Sequence, residues 1–455
     1  MSNFKIFLFA LGMSLTTANW AQPKAVTNKK ESHSVPPKSE TLSNFINEGL
    51  RNNFQIRIVT NREQIAENNA TRANAGYVPK VTLNGGYNAG VQSNKTTMRA
   101  DGSVKKERND LTQGTNAGVF AEWKVFDGFK IQTNYKRLQE LRKQSATQTR
   151  LVIEDYVADL TAEYYNFIQQ KIRLRNLRQA VKLSKERLRI VQERYLIGSG
   201  SRLDLQQAQV YFNSDSARSL KQHELLRRSA IRLNEMMAIA NVSERLFVED
   251  SVITVDSTLV MDDLWAATLR TNANLIKAAQ NKTLAELDFK SVKSRDYPYV
   301  KLNADYVYRY NKYSDGMTDK RSNWGGDIGV TVGYNLFDGN RKRERNNARI
   351  GIVNAELAQQ ELELALKADL ADLWQAYENN LLLLDLERQN LITAQENHVI
   401  ANERYMLGDL SGIEMREAQL SLLDAEERIL AAEYNTKLCE ISLQQISGNI
   451  MQYAE

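Results

Sequence analysis

Four short segments of the chain alternate between apolar and polar residues, which is the pattern of β-strands with one apolar face. They form two pairs, residues 81–92 with 116–125 and residues 300–311 with 328–336. Each run is about 10 residues long with aromatic residues towards an end, as in a transmembrane β-strand. The polar segments within the pairs, residues 93–114 and 312–326, are expected to be surface loops.

Long stretches with helical spacing and no proline separate these strand pairs. Residues 129–195 and 340–405 are predicted to be two very long helices, and at 1.5 Å per residue each spans roughly 100 Å. Shorter helices are predicted at residues 41–76, 203–240, 262–295 and 413–447. The first long helix carries an apolar seam with heptad-like spacing, which calls for partner helices in a coiled coil. The helices are expected to project far outside a bilayer, whose hydrocarbon core is only about 30 Å thick.

The two halves of the chain repeat each other. The motif Pro-x-Val-x-Leu at residues 79–83 recurs at 298–302, and Leu-Arg-x-Asn at 50–53 recurs at 269–272. The motif Glu-Arg-Tyr-x-x-Gly-x-x-Ser at 193–201 recurs at 403–411. Such regular spacing indicates a structural duplication. We therefore expect a first repeat at residues 41–240, a connecting equatorial segment at 241–261 and a second repeat at 262–455.

Closure of the sheet predicts an oligomer. Four strands are too few for a membrane barrel, since the smallest have about eight, and lipid does not tolerate open sheet edges. Two copies would give a filled barrel of eight strands, whereas three would enclose a lumen. Polar side chains for such a lumen come from Glu122, Lys301, Asn303, Asp305 and Arg309. The predicted fold is an α+β membrane protein, a homotrimer whose 12-stranded β-barrel, with four strands per chain, continues into an α-helical coiled-coil tunnel.

The composition and the N-terminal segment of the chain predict an exported protein. The chain has 455 residues, of which 42% are hydrophobic and 25% charged, and a mean hydropathy of −0.50 argues against helical membrane spans. Residues 6–15 are apolar, follow Lys5 and precede small residues, so residues 1–21 are predicted to be a signal peptide for export. Residues 22–40, rich in Lys, Ser and Pro, are predicted to be a flexible lead.

Catalytic and nucleic-acid-binding functions have little support in the sequence. The net charge of +5 is spread along the chain, unlike the basic patch of a nucleic-acid-binding protein. His33, His223 and His398 are far apart, and Cys439 is the one cysteine, so no metal-ligand spacing is present. Phosphate-loop and nucleophile-elbow motifs are also missing. We expect neither an enzyme nor a bound cofactor.

The duplicated halves, the strand pairs and the two Tyr-x-x-Gly turns resemble the TolC family of outer-membrane efflux channels, from about residue 41 to the C-terminal helix. The resemblance implies a trimeric barrel and tunnel that lies in the cell outer membrane and extends through the periplasm. It also implies a passive exit duct of a tripartite efflux or type I secretion system. Substrates would arrive from an inner-membrane RND, ABC or MFS transporter through a periplasmic adaptor protein. The cargo and the pump class are not encoded in these motifs.

The resemblance assigns adaptor contacts to the two turns. Gly198 and Ser201 in the first turn, with Gly408, Leu410 and Ser411 in the second, would form the periplasmic tips. Both turns differ from the family pattern of a hydrophobic residue followed by Gly-Leu-Ser/Thr. The glycines would also serve as helix C-caps.

The acidic residues after the turns match the carboxylates that ring the tunnel entrance in the family. Glu414 and Glu417 are three residues apart and so share one helix face, and Asp204 lies at the corresponding place in the first half. Rings of carboxylates favour cations and bind a blocking polyvalent cation, and crowding is expected to raise their pKa values. A solvated acidic helix face is the alternative interpretation.

The family's closed state suggests one further contact. Tyr405 and Asp204 match a tyrosine–aspartate link that holds the tunnel closed. The position of the arginine that locks this state in the family is Leu410 here, so either Arg202, Arg194 or Arg404 substitutes for it or the closed state rests on fewer bonds.

An exported coiled-coil scaffold or adhesin, with its strands in a soluble sheet, is the alternative function. The duct would be found as a trimer in the outer membrane, whereas the scaffold would be released with soluble proteins.

Overall fold

A computed structural model of the chain describes residues 41–97, 101–314 and 318–453, with backbone alone at residues 92, 94, 96 and 105–110. The expected signal peptide and flexible lead lie outside the described residues. The first repeat contains α1 (Leu42–Asn52), α2 (Phe54–Asn69), α3 (Arg72–Ala75), β1 (Lys80–Thr97), β2 (Val104–Asp127), α4 (Lys130–Leu196) and α5 (Arg202–Met236). The second contains α6 (Met261–Thr271), α7 (Ala273–Lys293), β3 (Tyr299–Tyr313), β4 (Lys320–Gly333), α8 (Asn340–Leu407) and α9 (Gly412–Ile446). Short 3₁₀ turns lie at Ser294–Asp296 and Ile450–Tyr453.

The four strands form one antiparallel sheet in the order β1-β2-β3-β4. Its register places Leu83 opposite Val119, and Val119 opposite Tyr306. Ala304 in turn lies opposite Ile328. Directly opposed residues face the same side of a sheet, so the apolar residues of all four strands share one face, as predicted. The α+β fold class is confirmed.

The opposite face of the sheet is mostly polar, but Phe120 and Val307 interrupt it. Val307 is almost fully buried, because it packs over the bare backbone of Gly118, where an added Cβ would approach the Val307 side chain to 2.7 Å.

The predicted strand ends are wrong in four places. β1 continues to Thr97 and β2 begins at Val104, inside the expected loop 93–114. β4 likewise begins at Lys320, within the expected loop 312–326. Backbone pairing continues there through polar residues that show no alternation. At its other end β4 stops at Gly333 instead of residue 336. Gly333 pairs with Tyr299, the first residue of β3, and Pro298 before it has no N–H to extend the ladder.

The predicted single helices at residues 41–76 and 262–295 are each broken at an asparagine, and the first is broken again between α2 and α3. The side-chain oxygen of Asn53 accepts hydrogen bonds from the amides of Gln55 and Ile56, and its side-chain nitrogen donates to the Met236 carbonyl at 2.9 Å. Asn53 therefore ends α1, caps α2 and joins both to the last residue of α5.

Asn272 makes the same joint in the second repeat. It accepts from the amides of Asn274 and Leu275 and donates to the carbonyl of Ile446, the last residue of α9, at 2.9 Å. α1 and α2 of the first repeat, like α6 and α7 of the second, are thus stacked end to end beside the long helix. The repeated Leu-Arg-x-Asn motif is the sequence signal of this joint.

The largest apolar core surrounds the middle of α4. Phe45 of α1 contacts the Tyr164 ring edge-on, with ring centroids 5.4 Å apart, and the Tyr164 hydroxyl donates to Asp250 at 2.6 Å. This core thus attaches α1 and the connecting segment to α4. The second long helix differs, because α8 leaves a series of large apolar side chains exposed, among them Leu357, Leu364, Leu382, Leu386 and Val399. None of the described helices contains a stretch that is long and apolar enough to cross a bilayer.

The duplication provides a matched pair of glycine substitutions at the strand-to-helix joints. Gly128 has a φ of +68°, and an added Cβ would lie 2.1 Å from the Ser294 carbonyl oxygen. Gly339, its counterpart, has a φ of −60° and no non-neighbouring atom closer than 3.9 Å to that position. Gly128→Ala should destabilise the fold by about 2–4 kcal/mol through left-handed strain and overpacking. Gly339→Ala should change it by less than about 1 kcal/mol.

Guanidinium unfolding of the purified protein in detergent measures both effects. Equal midpoints for the two variants would contradict the asymmetry between the joints.

Candidate functional site

The two helical hairpins, α4–α5 and α8–α9, end in turns of the same geometry. Gly198 has a φ of +79° and Gly408 a φ of +90°, the left-handed conformation of a helix C-cap. In each turn the residue after the glycine donates to a carbonyl five residues earlier. These bonds are Ser199 to Arg194 and Asp409 to Arg404, both at 2.9 Å. The repeated Gly at these turns thus has a structural reason in each half.

Serine caps the helix that follows each turn. The Ser201 hydroxyl accepts from the Asp204 amide at 3.1 Å, and the Ser411 hydroxyl accepts from the Glu414 amide at 3.2 Å. In the second hairpin the Glu414 carboxylate also accepts from the Ser411 amide and hydroxyl, at 2.9 and 2.7 Å. Glu414 therefore completes a capping box, which the shorter Asp204 does not do.

The two predicted ring glutamates have different surroundings. The hydrogen bond from the Ser411 hydroxyl, and next the bond from its amide, hold the pKa of Glu414 below the ordinary glutamate value. Within one protomer this direction is opposite to the rise expected from crowding. Glu417 lies one turn further along α9 and lines a groove of about 760 Å³ together with Arg173, Arg218 and Glu427.

Tyr405 and Asp204, the predicted closed-state pair, line one cavity of about 260 Å³ between the two hairpins. They are not hydrogen-bonded to each other in the part of the chain that the structure describes. The Arg194 guanidinium lies 5.4 Å from the centroid of the Tyr405 ring, and both residues line this cavity. Leu410 is partly buried and packs against the apolar cluster of Ala401, Tyr405 and Met415.

Behind this cavity lies a buried charged cluster that the sequence did not reveal. Arg416 of α9 forms a two-pronged ion pair with Asp215 of α5, with both N–O distances at 2.7 Å. Asp215 also accepts a hydrogen bond from the Ser184 hydroxyl. Both partners of the ion pair are almost fully buried, so α4, α5 and α9 are held together by a charge interaction shielded from water.

A second arginine shares this cluster. Two guanidinium groups contact the Tyr211 ring, with Arg416 at 5.0 Å and Arg187 at 5.2 Å from its centroid. Burial lowers the pKa of Arg187, and the positive charge of Arg416 acts in the same direction. Sequence reasoning missed these residues because Arg and Asp on long helices usually lie on solvated faces.

Both halves of the chain match one known protein family. A profile of the outer membrane efflux protein family matches residues 45–238 and 264–449. The chain is 21% identical over 433 residues to outer membrane protein TolC of Vibrio cholerae, which covers 91% of this chain and 92% of that protein. The two matched stretches correspond to the two halves of the duplication.

Solved structures share the fold at low sequence identity. A membrane protein from Pseudomonas aeruginosa has a TM-score of 0.72 at 15% identity, with 90% of each chain covered. The outer membrane protein VceC of Vibrio cholerae has a TM-score of 0.70 at 15% identity, over 90% of this chain and 96% of that one. The same chain architecture is therefore compatible with widely different sequences.

The buried ion pair should dominate the stability of the hairpin ends. Asp215→Asn leaves the Arg416 charge buried without its partner, which typically costs about 3–5 kcal/mol. Amide hydrogen exchange in α5 and α9 near the turns should accelerate accordingly. Glu224→Gln on the same helix is the control, because its ion pair with Arg228 is exposed and should contribute less than about 1 kcal/mol. Equal acceleration in both variants would show that the Asp215 pair has no special weight.

Proposed function

Because the chain belongs to the outer membrane efflux protein family, as the resemblance indicated, we propose that it forms the passive exit duct of a tripartite efflux or type I secretion system. Members of the family are channels and not enzymes, and this chain is assigned no catalytic residue. The observation that carries the proposal is a four-stranded sheet with one apolar face, attached to helices about 100 Å long.

A homotrimer would close this sheet. Within the described residues β1 and β4 each have one neighbour, so each presents an unpaired backbone edge. Lipid requires such edges to be paired. Pairing β1 of one protomer with β4 of the next, three times around, gives a barrel of twelve strands. Its apolar face, with Val81, Leu83 and Val330 largely exposed in the single chain, would contact outer-membrane lipid.

The helices would continue this barrel as a periplasmic tunnel. The exposed apolar residues of α8, such as Leu364 and Leu386, lack cover within the described part of one protomer. A neighbouring protomer in the trimer would bury them, as in other coiled-coil bundles. Export by a cleaved signal peptide at residues 1–21 fits the same location.

The turns are proposed as the docking points for a periplasmic adaptor. Apolar side chains beside Gly198 and Gly408 are strongly exposed, namely Leu196, Ile197, Leu203, Leu407 and Ile413. Exposed apolar groups at the end of a polar rod mark an interaction surface. Ser201 and Ser411, together with Leu410, would define the shape of the two tips. An inner-membrane transporter of the RND, ABC or MFS class would supply substrate through this adaptor.

The tunnel entrance is proposed to carry carboxylate rings from Glu414, Glu417 and Asp204. All three are exposed near the turns, where three-fold symmetry would bring copies together. In the closed state, Tyr405 and Asp204 would be linked, with Arg194 taking the place of the family's locking arginine. Its existing contact with the Tyr405 ring supports that assignment.

Cell fractionation and planar-bilayer recording test the proposal together. The duct predicts a detergent-extracted trimer from the outer-membrane fraction that conducts ions. A chain released with soluble proteins, without conductance, would instead support the scaffold or adhesin.

The carboxylate rings predict a specific effect on channel block. Glu414→Gln with Glu417→Gln removes both charges, while the amide oxygen introduced by the first substitution can still accept from Ser411. The double variant should relieve block of single channels by a polyvalent cation by at least about tenfold in concentration, because the rings provide the binding charge. Glu224→Gln with Glu235→Gln, two exposed residues of α5, is the matched control. Block that persists in the ring variant would remove these residues from the entrance.

A further inference from the structure

The helical part of the protomer has two outer helices, as its sheet has two outer strands. Among the described helices of the two hairpins, α5 packs on α4, α4 also packs on α9, and α9 packs on α8. α5 and α8 are therefore the outermost members of this layer. We propose that α8 of one protomer docks against α5 of the next, because α8 carries an acidic face and α5 a basic one. The inference rests on the proposed trimer and identifies the helix surfaces that would join its protomers.

The acidic face of α8 is a line of four exposed carboxylates in the half of the helix that leads to Gly408, namely Glu378, Asp385, Glu396 and Glu403. They are separated by 7, 11 and 7 residues, and at 3.6 residues per turn these intervals place all four within about 20° of one another. The exposed cations of this half, Arg388 and Arg404, lie on either side of the line. The opposite side of α8 is the packed one, since Leu384 and Tyr405 are buried there.

The basic face of α5 comprises three exposed cations, Lys221, Arg228 and Arg232. They are separated by 7 and 4 residues, so they share one side of the helix within about 40°. Residues 217–235 contain five cationic side chains and two carboxylates, so this half of α5 has a net positive charge. The side that packs on α4, where Leu233 is buried, lies about 100° away around the helix.

The charges of both faces are available for a partner. Within the described part of the protomer, the α8 carboxylates that form ion pairs are Glu344, Glu356 and Glu387, and none of these belongs to the acidic face. On α5, Arg228 and Arg232 pair with exposed carboxylates of the same helix. Such exposed pairs contribute little to stability, so a neighbouring chain can replace them.

Exposed apolar side chains accompany both faces. On α5, Leu220 is 74% exposed and Ile231 is also exposed, and on α8 Leu382 is 67% exposed and is followed by Leu386. Charges beside such an apolar seam select the partner that covers it. Contacts of α8 with a second α8, or of α5 with a second α5, would oppose like charges. The charges therefore favour head-to-tail contacts between copies, which can close into a ring.

Contacts inside the protomer fix the relative levels of the two faces along the helices. Arg173 of α4 pairs with Glu427 of α9, and the two lie 25 and 19 residues from the turn glycines of their own hairpins. Asp155 and Gln445, which are also in contact, lie 43 and 37 residues from the same glycines. In both contacts the difference is six residues, so the turn at Gly408 lies about 9 Å closer to the sheet than the first turn.

A rotation that relates protomers around the tunnel axis keeps these levels. Asp385 then lies within one residue of the level of Arg228. Glu396 lies five residues further from the sheet than Lys221, a gap of about 8 Å. Helical side chains lean towards the N-terminus of their own helix, so on antiparallel α5 and α8 these two lean towards each other. Pairing of β4 with β1 of the next protomer would bring the same two helices together, because β1 and α5 are outer elements of the first repeat and β4 and α8 of the second.

Disulfide formation between chains reports the contact in the purified full-length protein in detergent. The reporter chain carries Ile231→Cys and Leu382→Cys, two exposed positions at matching levels, in a Cys439→Ser background. We expect brief oxidation to give covalent dimers and trimers of this chain. Light scattering of the same preparation gives its mass before oxidation.

Charge reversal with rescue then tests the role of the two faces. Lys221→Glu with Arg228→Glu in the reporter chain should lower the crosslinked fraction at least about fivefold, because like charges then face each other. Asp385→Lys with Glu396→Lys should have the same effect for the same reason. The chain with all four substitutions should recover the original fraction to within about twofold, since opposite charges again face each other.

Arg178→Glu with Lys182→Glu is the matched control, because both residues are exposed on α4, which is not an outer helix. An equal loss in this control, or no recovery with all four substitutions, would overturn the assignment of the charges. A preparation with the mass of a trimer but without crosslinks between α5 and α8 would overturn the inference and leave the proposed duct intact. A monomer would overturn both.

Discussion

The structure depends on one constraint, which is that a four-stranded sheet with an apolar face has two unpaired edges. Inside a protomer, β1 and β4 are the outer strands of the sheet. Their backbone groups must be satisfied by other strands if the sheet lies in lipid, where no water can replace a missing partner. Further copies of the chain would supply such strands. The same geometry then positions long helices side by side below the sheet.

The duplicated halves share the same local joints and turns but differ in which side chains they bury. Asn53 and Asn272 make equivalent joints that stack short helices against a long one, and the two glycine turns share the same backbone hydrogen bonds. The differences lie in what each half buries. α4 buries side chains along its length, whereas α8 leaves apolar ones exposed. The first repeat thus contributes a buried core, whereas the second leaves an apolar surface that a neighbouring protomer would cover.

The sequence allowed the repeating parts of this fold to be predicted, because periodicity reports which face of an element is buried. The strand faces, the long helices and the capped turns follow from alternation, helical spacing and a Gly-x-x-Ser motif. Features without periodicity were not predicted. These are the strand extensions beyond Gln92 and before Ile328, and the breaks of the helices at single asparagines. At the candidate site, Glu414 was recognised as acidic but not as a capping residue. The burial of Arg187, Asp215 and Arg416 depends on three helices meeting, which no local pattern encodes.

Disulfide trapping between protomers tests the central constraint most directly. Cysteines introduced along β1, at residues 81–85, and along β4, at residues 328–332, are combined in a Cys439→Ser background, since Cys439 is the native cysteine. Edge pairing predicts that oxidation of outer membranes yields covalent dimers and trimers for positions in register. Each single-cysteine chain should stay monomeric under denaturing conditions. Crosslinks formed only within one chain, or none at any register, would contradict a sheet that closes through its neighbours.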